Sequence, residues 1–451
     1  TLSPSSAASD VYKRQLIYGM SEYEYNSALC HFKAKPMSAT TFSSLNLDPL
    51  LLTAIEQNNY TQPTAIQIKT IPPILAGSDV MGSAQTGTGK TAAFVLPLLH
   101  KLLNTPKKDE PGVARVVILT PTRELAQQVF ASFEKYAQGT NIKGALAYGG
   151  ASIGPQIKAL KDAQVIVATP GRLLDHIVKG SVVLSSVDSL VFDEADRMLD
   201  MGFIDEIKRI LRHIPGDRQT LLFSATFDDS VFALSKKLLK NPELVEVDKR
   251  NSAAVEVEQV IYSVDEDRKR ELVSHMIGMK NWRQVLIFTR TKQMADQLAK
   301  EMCKDGLKTE SIHGDKSQGA RDRALQNFKE GITRVLVATD VAARGLDIPT
   351  LRFVINFELP YIAEDYVHRI GRTGRAGEQG LAMSLVSIDE QWLLEEIEVL
   401  LDTRLTPQWL AGYEPDPNKK PKDNRKNTNK SRKDRDKKRI TGQREPSRRR
   451  K

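Results

Sequence analysis

Ala84-Gln85-Thr86-Gly87-Thr88-Gly89-Lys90-Thr91 stands between a short strand-like run, Asp79–Ser83, and an apolar helix-like segment that opens near Lys90. It matches the phosphate-loop pattern Gly-x-x-x-x-Gly-Lys-Thr, with Ala84 where the first glycine is expected. Gly87 and Gly89 let the backbone curl so that its N–H groups face phosphate oxygens. The following helix adds its positive dipole end. In such a loop Lys90 reaches the β- and γ-phosphates and Thr91 ligates Mg²⁺. A chance glycine turn is the competing reading, but it accounts for neither the strand before nor the helix after.

About 100 residues further on, Val191-Phe192-Asp193-Glu194-Ala195-Asp196 places adjacent carboxylates at the end of an apolar strand. Alone, such a sequence is as readily an ordinary turn. Paired with the phosphate loop it completes a nucleotide site. Asp193 is expected to hold Mg²⁺, directly or through water. Glu194 is expected to orient and deprotonate a water for attack on the γ-phosphate.

The same alternation of short apolar runs and helix-like segments extends in both directions. One set comprises Asp79–Ser83, Arg115–Leu119, Ala145–Tyr148, Val165–Ala168, Leu190–Phe192 and Leu221–Phe223. A charged, turn-prone stretch follows near residue 250. A second set comprises Gln259–Tyr262, Val285–Phe288, Glu310–Ile312, Val335–Val337, Phe353–Asn356 and Ala382–Leu385. Near-continuous apolar strands separated by helices indicate parallel sheets covered on both faces. The expectation is an α/β chain of two tandem lobes rather than one large sheet, at residues 37–247 and 257–411, with a linker at 248–256. Strand after strand ends in Gly, Ser, Thr or Asp, and open parallel sheets bind ligands at those carboxyl ends.

Composition fits this picture. Apolar residues make up 40% and charged residues 27% of the 451, which excludes a collagen, a wholly disordered chain and a disulfide scaffold. The two cysteines, Cys30 and Cys303, are too far apart in sequence for a structural zinc site or a redox pair. Their scarcity fits a reducing cytosol. Apolar stretches such as Thr91–Leu99 are too short to span a membrane. Charge is unevenly placed. Residues 412–451 hold 17 basic and 6 acidic residues, a net of +11, which leaves −2 for the rest of a chain whose total is +9. That segment is expected to be a disordered polycationic tail drawn to polyphosphate partners. Residues 1–36 show no period and are expected to be a non-native or disordered leader, with Met37 as the native start.

Asp193-Glu194-Ala195-Asp196 spells D-E-A-D, and with its flanking motifs the chain resembles the DEAD-box ATP-dependent RNA helicases from about Phe42 to Glu414. The resemblance implies two RecA-like lobes. It implies an adenine-reading motif in Tyr60, Pro63, Thr64 and Gln67, supported upstream by Phe42, with Asn59 where the family usually has glycine. The nucleotide set extends through Ala84, Gln85, Thr86, Gly87, Thr88, Gly89, Lys90 and Thr91. In the second lobe it includes Gly345 and Asp347, with Arg372 and Arg375 stabilising charge on the γ-phosphate. Ser224, Thr226 and His368 are implied to couple hydrolysis to strand separation. The implied RNA contacts are Pro121, Thr122, Arg123, Gly149, Gly150, Thr169, Gly171 and Arg172 in the first lobe. Those in the second are Thr289, Arg290, Gln318, Arg321, Thr339 and Arg344. Such residues at loop-to-helix junctions suit phosphate and sugar contacts, which position a strand without reading its sequence.

The expected activity is therefore RNA-stimulated ATP hydrolysis, with ATP and Mg²⁺ as cofactors, driving local unwinding or remodelling of structured RNA. The alternatives are an ATP-dependent RNA clamp or annealing chaperone, and a DNA translocase, against which the Thr169-Pro170-Gly171-Arg172 motif argues. Within the family, His313–Arg321, Gly412–Pro417 and the basic extension resemble bacterial RhlE-type helicases, implying a cytoplasmic role with ribosomal particles or RNA-degradation proteins. His31, His100, His176, His213 and His275 form no metal-like cluster in the sequence.

Overall fold

Val116-Val117-Ile118-Leu119 shows why the first lobe is layered. Val116 and Ile118 enter one apolar core, while Val117 and Leu119 enter another on the opposite side. Successive strand residues point to opposite faces, so a strand covered on both sides must be apolar at every position. The computed structural model describes residues 41–84, 88–105, 114–224, 227, 229–247, 257–343, 351–374 and 380–421. The linker expected at 248–256 lies outside them, as do residues 1–40 and 422–451.

The first sheet contains β1 (Val80–Ser83), β2 (Val116–Leu119), β3 (Gly144–Ala147), β4 (Val165–Ala168), β5 (Ser189–Phe192), β6 (Gln219–Ser224) and β7 (Glu243–Glu246). They pair in the order β3-β4-β2-β5-β6-β1-β7, with every pairing parallel. The second sheet contains β8 (Val257–Ser263), β9 (Val285–Thr289), β10 (Thr309–Ile312), β11 (Val335–Thr339), β12 (Phe353–Asn356), β13 (Gly380–Val386) and β14 (Pro407–Gln408). Its order is β10-β11-β9-β12-β13-β8-β14, again all parallel. The two orders are the same permutation displaced by seven strands. The lobes are two copies of one RecA-like topology, as the sequence leads one to expect.

All twelve expected runs form strands. The edge strands β7 and β14 were not anticipated. β7 buries only Val245 and carries a glutamate at each end, so it lacks the continuous apolar signature. β14 begins at Pro407, which the edge of a sheet tolerates because no ladder donor is needed there.

The repeat extends to side-chain detail. At the end of β2, the Thr120 hydroxyl donates to the Thr122 carbonyl at 3.3 Å, and Thr122 caps the next helix by accepting from the Leu125 amide at 3.3 Å. At the end of β9, Thr289 donates to the Thr291 carbonyl at 3.3 Å and Thr291 accepts from the Met294 amide at 3.1 Å. Each lobe thus turns a buried strand end into a capped helix N-terminus by the same device, which satisfies otherwise orphaned donors.

The chain stays on the second lobe beyond Gly412, where the sequence puts the start of the tail. Arg268 lies over the Tyr413 ring at 4.8 Å, and the Asp416 amide donates to Asp265 at 3.1 Å. Lys419 pairs with Asp265 at 3.2 Å and with Asp267 at 2.5 Å. An aromatic ring and complementary charge hold these residues where composition alone suggests none.

Candidate nucleotide and RNA site

The phosphate loop leaves β1 at Ala84, which is buried. Gln85, Thr86 and Gly87 lie outside the described residues. Thr88 and Thr91 are half-buried on either side of the helix start, and Gly89 caps the helix Lys90–Asn104 with φ 90°. A side chain at Gly89 is excluded twice over, since that φ is left-handed and a Cβ would lie 2.4 Å from the Gln67 amide nitrogen. Gln67 itself is buried. Its carbonyl oxygen accepts from the Thr64 amide at 2.9 Å, and its nitrogen donates to the Gly89 carbonyl at 3.1 Å. Thr64 and Gln67 form a capping box at the start of the helix Ala65–Leu75. The expected adenine-reading residues are therefore bonded directly to the phosphate loop.

Tyr60 remains 45% exposed, with its ring 6.0 Å from that of Tyr136, so its free face is open to a base. Asn59 has φ 59°, the left-handed region that glycine enters most easily and asparagine tolerates. That conformation explains why asparagine serves where the family usually has glycine. Phe42 is buried in the first-lobe core beside this region.

Two buried ionic atoms face this loop without hydrogen-bond partners among the described residues: the Lys90 ammonium and Asp193 Oδ1. Buried polar atoms without hydrogen bonds are costly, so such atoms are explained by a ligand that supplies the missing bonds. Burial pushes the Asp193 carboxyl up to about 7; the Lys90 charge opposes the rise and Glu194 and Asp196 add to it. Glu194 adopts φ 56° and ψ 56° at the strand-to-helix turn. A non-glycine residue in that region carries strain of order 1 kcal/mol, a common mark of functional turns. Among the described residues there is no cluster of three or more His, Cys, Asp or Glu able to hold a metal. Asp193 with Thr91 still fits Mg²⁺, which usually takes only one or two protein ligands alongside substrate phosphates. Ser224, at the end of β6, is fully buried, and its hydroxyl has no hydrogen-bond partner among the described residues.

The second lobe brings the helix Ala363–Ile370 against the helix that follows Glu194, where Asp365 meets Arg197. It carries half-buried His368 and leads directly to buried Arg372. Thr226, Arg344, Gly345, Asp347 and Arg375 lie outside the described residues. Arg369, which the sequence reading left unassigned, is fully buried. It donates to Asp340 at 2.6 and 2.8 Å, to Asn356 at 3.2 Å and to the Glu358 carbonyl at 2.6 Å. It ties the arginine-bearing helix to the ends of β11 and β12.

The expected RNA contacts line the carboxyl ends of both sheets, and several meet one another. Pro121 and Thr122 are buried at the end of β2. Arg123 packs on Gly150, whose φ is +84° and whose Cβ would lie 2.2 Å from the guanidinium; a Cβ at Gly149 would meet the same group at 4.0 Å. Arg172 bonds the Ala151 carbonyl at 3.0 Å and Gln156 at 3.1 Å. Thr169 is the N-terminal cap of the helix Pro170–Val178, and a Cβ at Gly171 would meet nothing within 4 Å. Thr289 and Thr339 are buried at the ends of β9 and β11. Arg290 is engaged internally: it bonds Glu358 at 3.2 Å and Glu390 at 2.9 Å and stacks on Tyr361 at 4.7 Å.

Gln318 and Arg321 cross between lobes. Arg321 pairs with Glu124 at 2.6 Å with both side chains buried, and Arg123 donates to Gln318 at 3.3 Å. A second interlobe pair joins Arg197 and Asp365 at 2.7 Å. Glu124, Arg197 and Asp365 are the functional candidates that sequence reasoning missed. Glu124 and Arg197 adjoin motif residues, but nothing in the sequence names their distant partners.

Nucleotide machinery divided across two like lobes in this way defines a two-domain phosphate-loop ATPase of the helicase type. Residues 64–234 match the DEAD/DEAH box helicase family, and residues 268–377 match the helicase conserved C-terminal domain. The DEAD-box ATP-dependent RNA helicase CshA of Bacillus subtilis is 44% identical over 359 residues, which cover 79% of this chain and 72% of that protein. The chain belongs to the DEAD-box family of ATP-dependent RNA helicases. Its fold matches S. cerevisiae Dbp5 bound to RNA and ADP BeF3 with a TM-score of 0.74 and 32% identity, covering 88% of this chain and 99% of that one. It also matches the DEAD-box helicase Mss116 bound to ssRNA and UDP-BeF, with a TM-score of 0.76 and 31% identity over 84% of this chain and 81% of the other.

Proposed function

We propose that the chain hydrolyses ATP between its lobes when RNA holds them together, and that closure bends the RNA strand and opens a short duplex locally. Tyr60 stacks on adenine, Gln67 reads its edge, and the backbone around Gly89 with Lys90 cradles the phosphates. Mg²⁺ held by Thr91 and Asp193 supplies charge neutralisation at those phosphates when bound. Glu194 accepts the proton of the attacking water, and Arg372 with Arg375 stabilises charge that develops on the γ-phosphate. Gly149, Gly150, Thr169, Gly171, Thr289 and Thr339 present backbone and hydroxyl groups to RNA phosphate and sugar. Arg123, Gln318 and Arg321 join the lobes beneath it. Contact with the 2′-hydroxyl would favour RNA over DNA.

The carrying observation is the pair of buried, unpartnered groups Lys90 Nζ and Asp193 Oδ1 in the lobe opposite Arg372. ATP turnover measured without nucleic acid, with structured RNA and with single-stranded DNA, beside a Glu194→Gln control, tests the reading. Stimulation by RNA and its loss in the control support it; equal stimulation by DNA refutes the RNA preference.

The two lobes at 37–247 and 257–411 are read as the working units, and the strongly basic residues beyond them as an RNA-binding arm. Deleting residues 422–451 should lower RNA affinity and flatten its salt dependence, while turnover at saturating RNA survives. Gly412–Pro417 and the basic extension support RhlE-type work on ribosomal particles or in RNA turnover in the cytoplasm. Bacterial relatives named CshA share 44% identity with the chain, so the RNA species co-purifying with the protein is the discriminating measurement.

A further inference from the structure

Arg197 and Asp365 are absent from every role assigned above, yet they form a direct ionic link between the two lobes, on the helices that adjoin Glu194 and Arg372. Arg197 stands three positions after Glu194, on the helix Ala195–Asp200 that starts at the catalytic carboxylates. Asp365 sits on the helix Ala363–Ile370, which carries His368 and leads into Arg372. Arg197 Nη1 donates to Asp365 at 2.7 Å, and the two side chains are only 4% and 9% exposed. The same nitrogen lies 3.0 Å from Asp200, whose side chain is 43% exposed.

We propose that Arg197 and Asp365 are positioning residues for hydrolysis: their ion pair, made only when the lobes close, registers the arginine-bearing helix against Glu194. A pair between lobes has a different meaning from one within a lobe. With the lobes apart, Asp365 is solvated and Arg197 keeps its local partner Asp200. On closure both charges leave water, and burying a charge is tolerated only when a well-placed opposite charge meets it. A misregistered closure would bury Arg197 and Asp365 without contact, so the pair penalises near-closed arrangements more than it favours the closed one. Because both helices are anchored at the chemistry, at Glu194 on one side and Arg372 on the other, the selected arrangement is the one in which those groups face a common point. Side-chain displacements of about 1 Å can cost a factor of about 100 in rate, so such registration has catalytic weight.

This inference rests on the proposed interlobe ATPase, and the test separates the two. RNA-stimulated turnover is measured for the unsubstituted chain, Arg197→Met, Asp365→Leu, the apolar double variant and the charge-swapped variant carrying Arg197→Asp with Asp365→Arg. Interlobe distance is followed in parallel by fluorescence energy transfer with RNA and a non-hydrolysable ATP analogue. Each single substitution should lower turnover and the closed fraction on the order of 10²- to 10³-fold, since one charge is then buried without the other. The apolar pair should recover most of the loss, and the swap at least part of it. Nucleotide-free RNA affinity should stay unchanged in both single variants, and melting temperature in Asp365→Leu, whose partner lies across the lobes, which a general structural role would not allow. Singles that turn over normally, or a double variant that loses the full product of the single effects, overturn the pair's role. Loss of RNA stimulation in the unsubstituted chain would instead count against the ATPase reading on which it stands.

Discussion

Asp193→Asn should stabilise the empty protein at neutral pH while removing the anion that the site is built around. Asp193 is 2% exposed, and one of its carboxylate oxygens has no hydrogen-bond partner among the described residues. Burial raises its pKa from 3.8 to about 7. Between those values the folded chain holds a proton that the unfolded chain has lost. Stability from this group is therefore fully present below pH 3.8 and is lost as pH rises to about 7, beyond which nothing more is lost. At about 1.4 kcal/mol per unit, the whole shift is worth about 4 kcal/mol, of which about 2–3 kcal/mol falls between about pH 5 and pH 7. Asparagine has no proton to lose, so its advantage over aspartate should widen by that amount. A lobe of this size moves by about 2–4 °C per kcal/mol, which makes the added separation in melting temperature roughly 5–10 °C. The assay is thermal unfolding of both proteins with a chelator and no nucleotide, at about pH 5 and about pH 8. Mg²⁺ with ATP should reverse the order by favouring the ionised native carboxylate. An equal separation at both pH values, or an asparagine variant less stable at the higher one, would refute the reasoning.

Further outcomes follow from other contacts. Glu194→Gln should cut ATP turnover by about 10²- to 10⁴-fold, the usual weight of a general base, while nucleotide binding measured by calorimetry persists. Glu124→Ala removes the carboxylate 2.6 Å from buried Arg321 across the lobes. Closure should then cost about 3–5 kcal/mol more, seen as lost RNA-stimulated turnover with unaltered melting of the nucleotide-free chain. Glu390 bonds Arg290 at 2.9 Å and pairs with fully buried Lys269. Its replacement by alanine should destabilise the second lobe by about 3–5 kcal/mol in denaturant unfolding, and the double change Lys269→Met with Glu390→Leu should recover much of that.

What could be read from the chain was local. β2 and β9 announce themselves because each is buried on both faces, so the apolar run is unbroken. Lys90 and Asp193 announce themselves because phosphate and metal chemistry fixes residue type and spacing. β7 and β14 did not, because a sheet edge relaxes that demand. Glu124, Arg197 and Asp365 gave no signal, because an ion pair spanning 168 positions, as Arg197 with Asp365 does, leaves no periodicity in the sequence. Arg290 shows the converse. It looked like a phosphate ligand beside Thr289, yet Glu358 and Glu390, far along the chain, take up its guanidinium.

Gln67 illustrates how little latitude a doubly committed side chain leaves. Its carbonyl end closes the cap at Thr64 and its amino end holds Gly89. Glutamate would keep the acceptor but offer a carboxylate where the Gly89 carbonyl needs a donor. Asparagine would keep both chemistries but fall one methylene short of spanning them. Alanine at residue 89 would drive a methyl group into the same amide. Near-isosteres therefore fail here for different reasons, while the second amide N–H and the second carbonyl lone pair stay available to the adenine edge that Gln67 is proposed to read, so that a single side chain would connect the base with the phosphate loop.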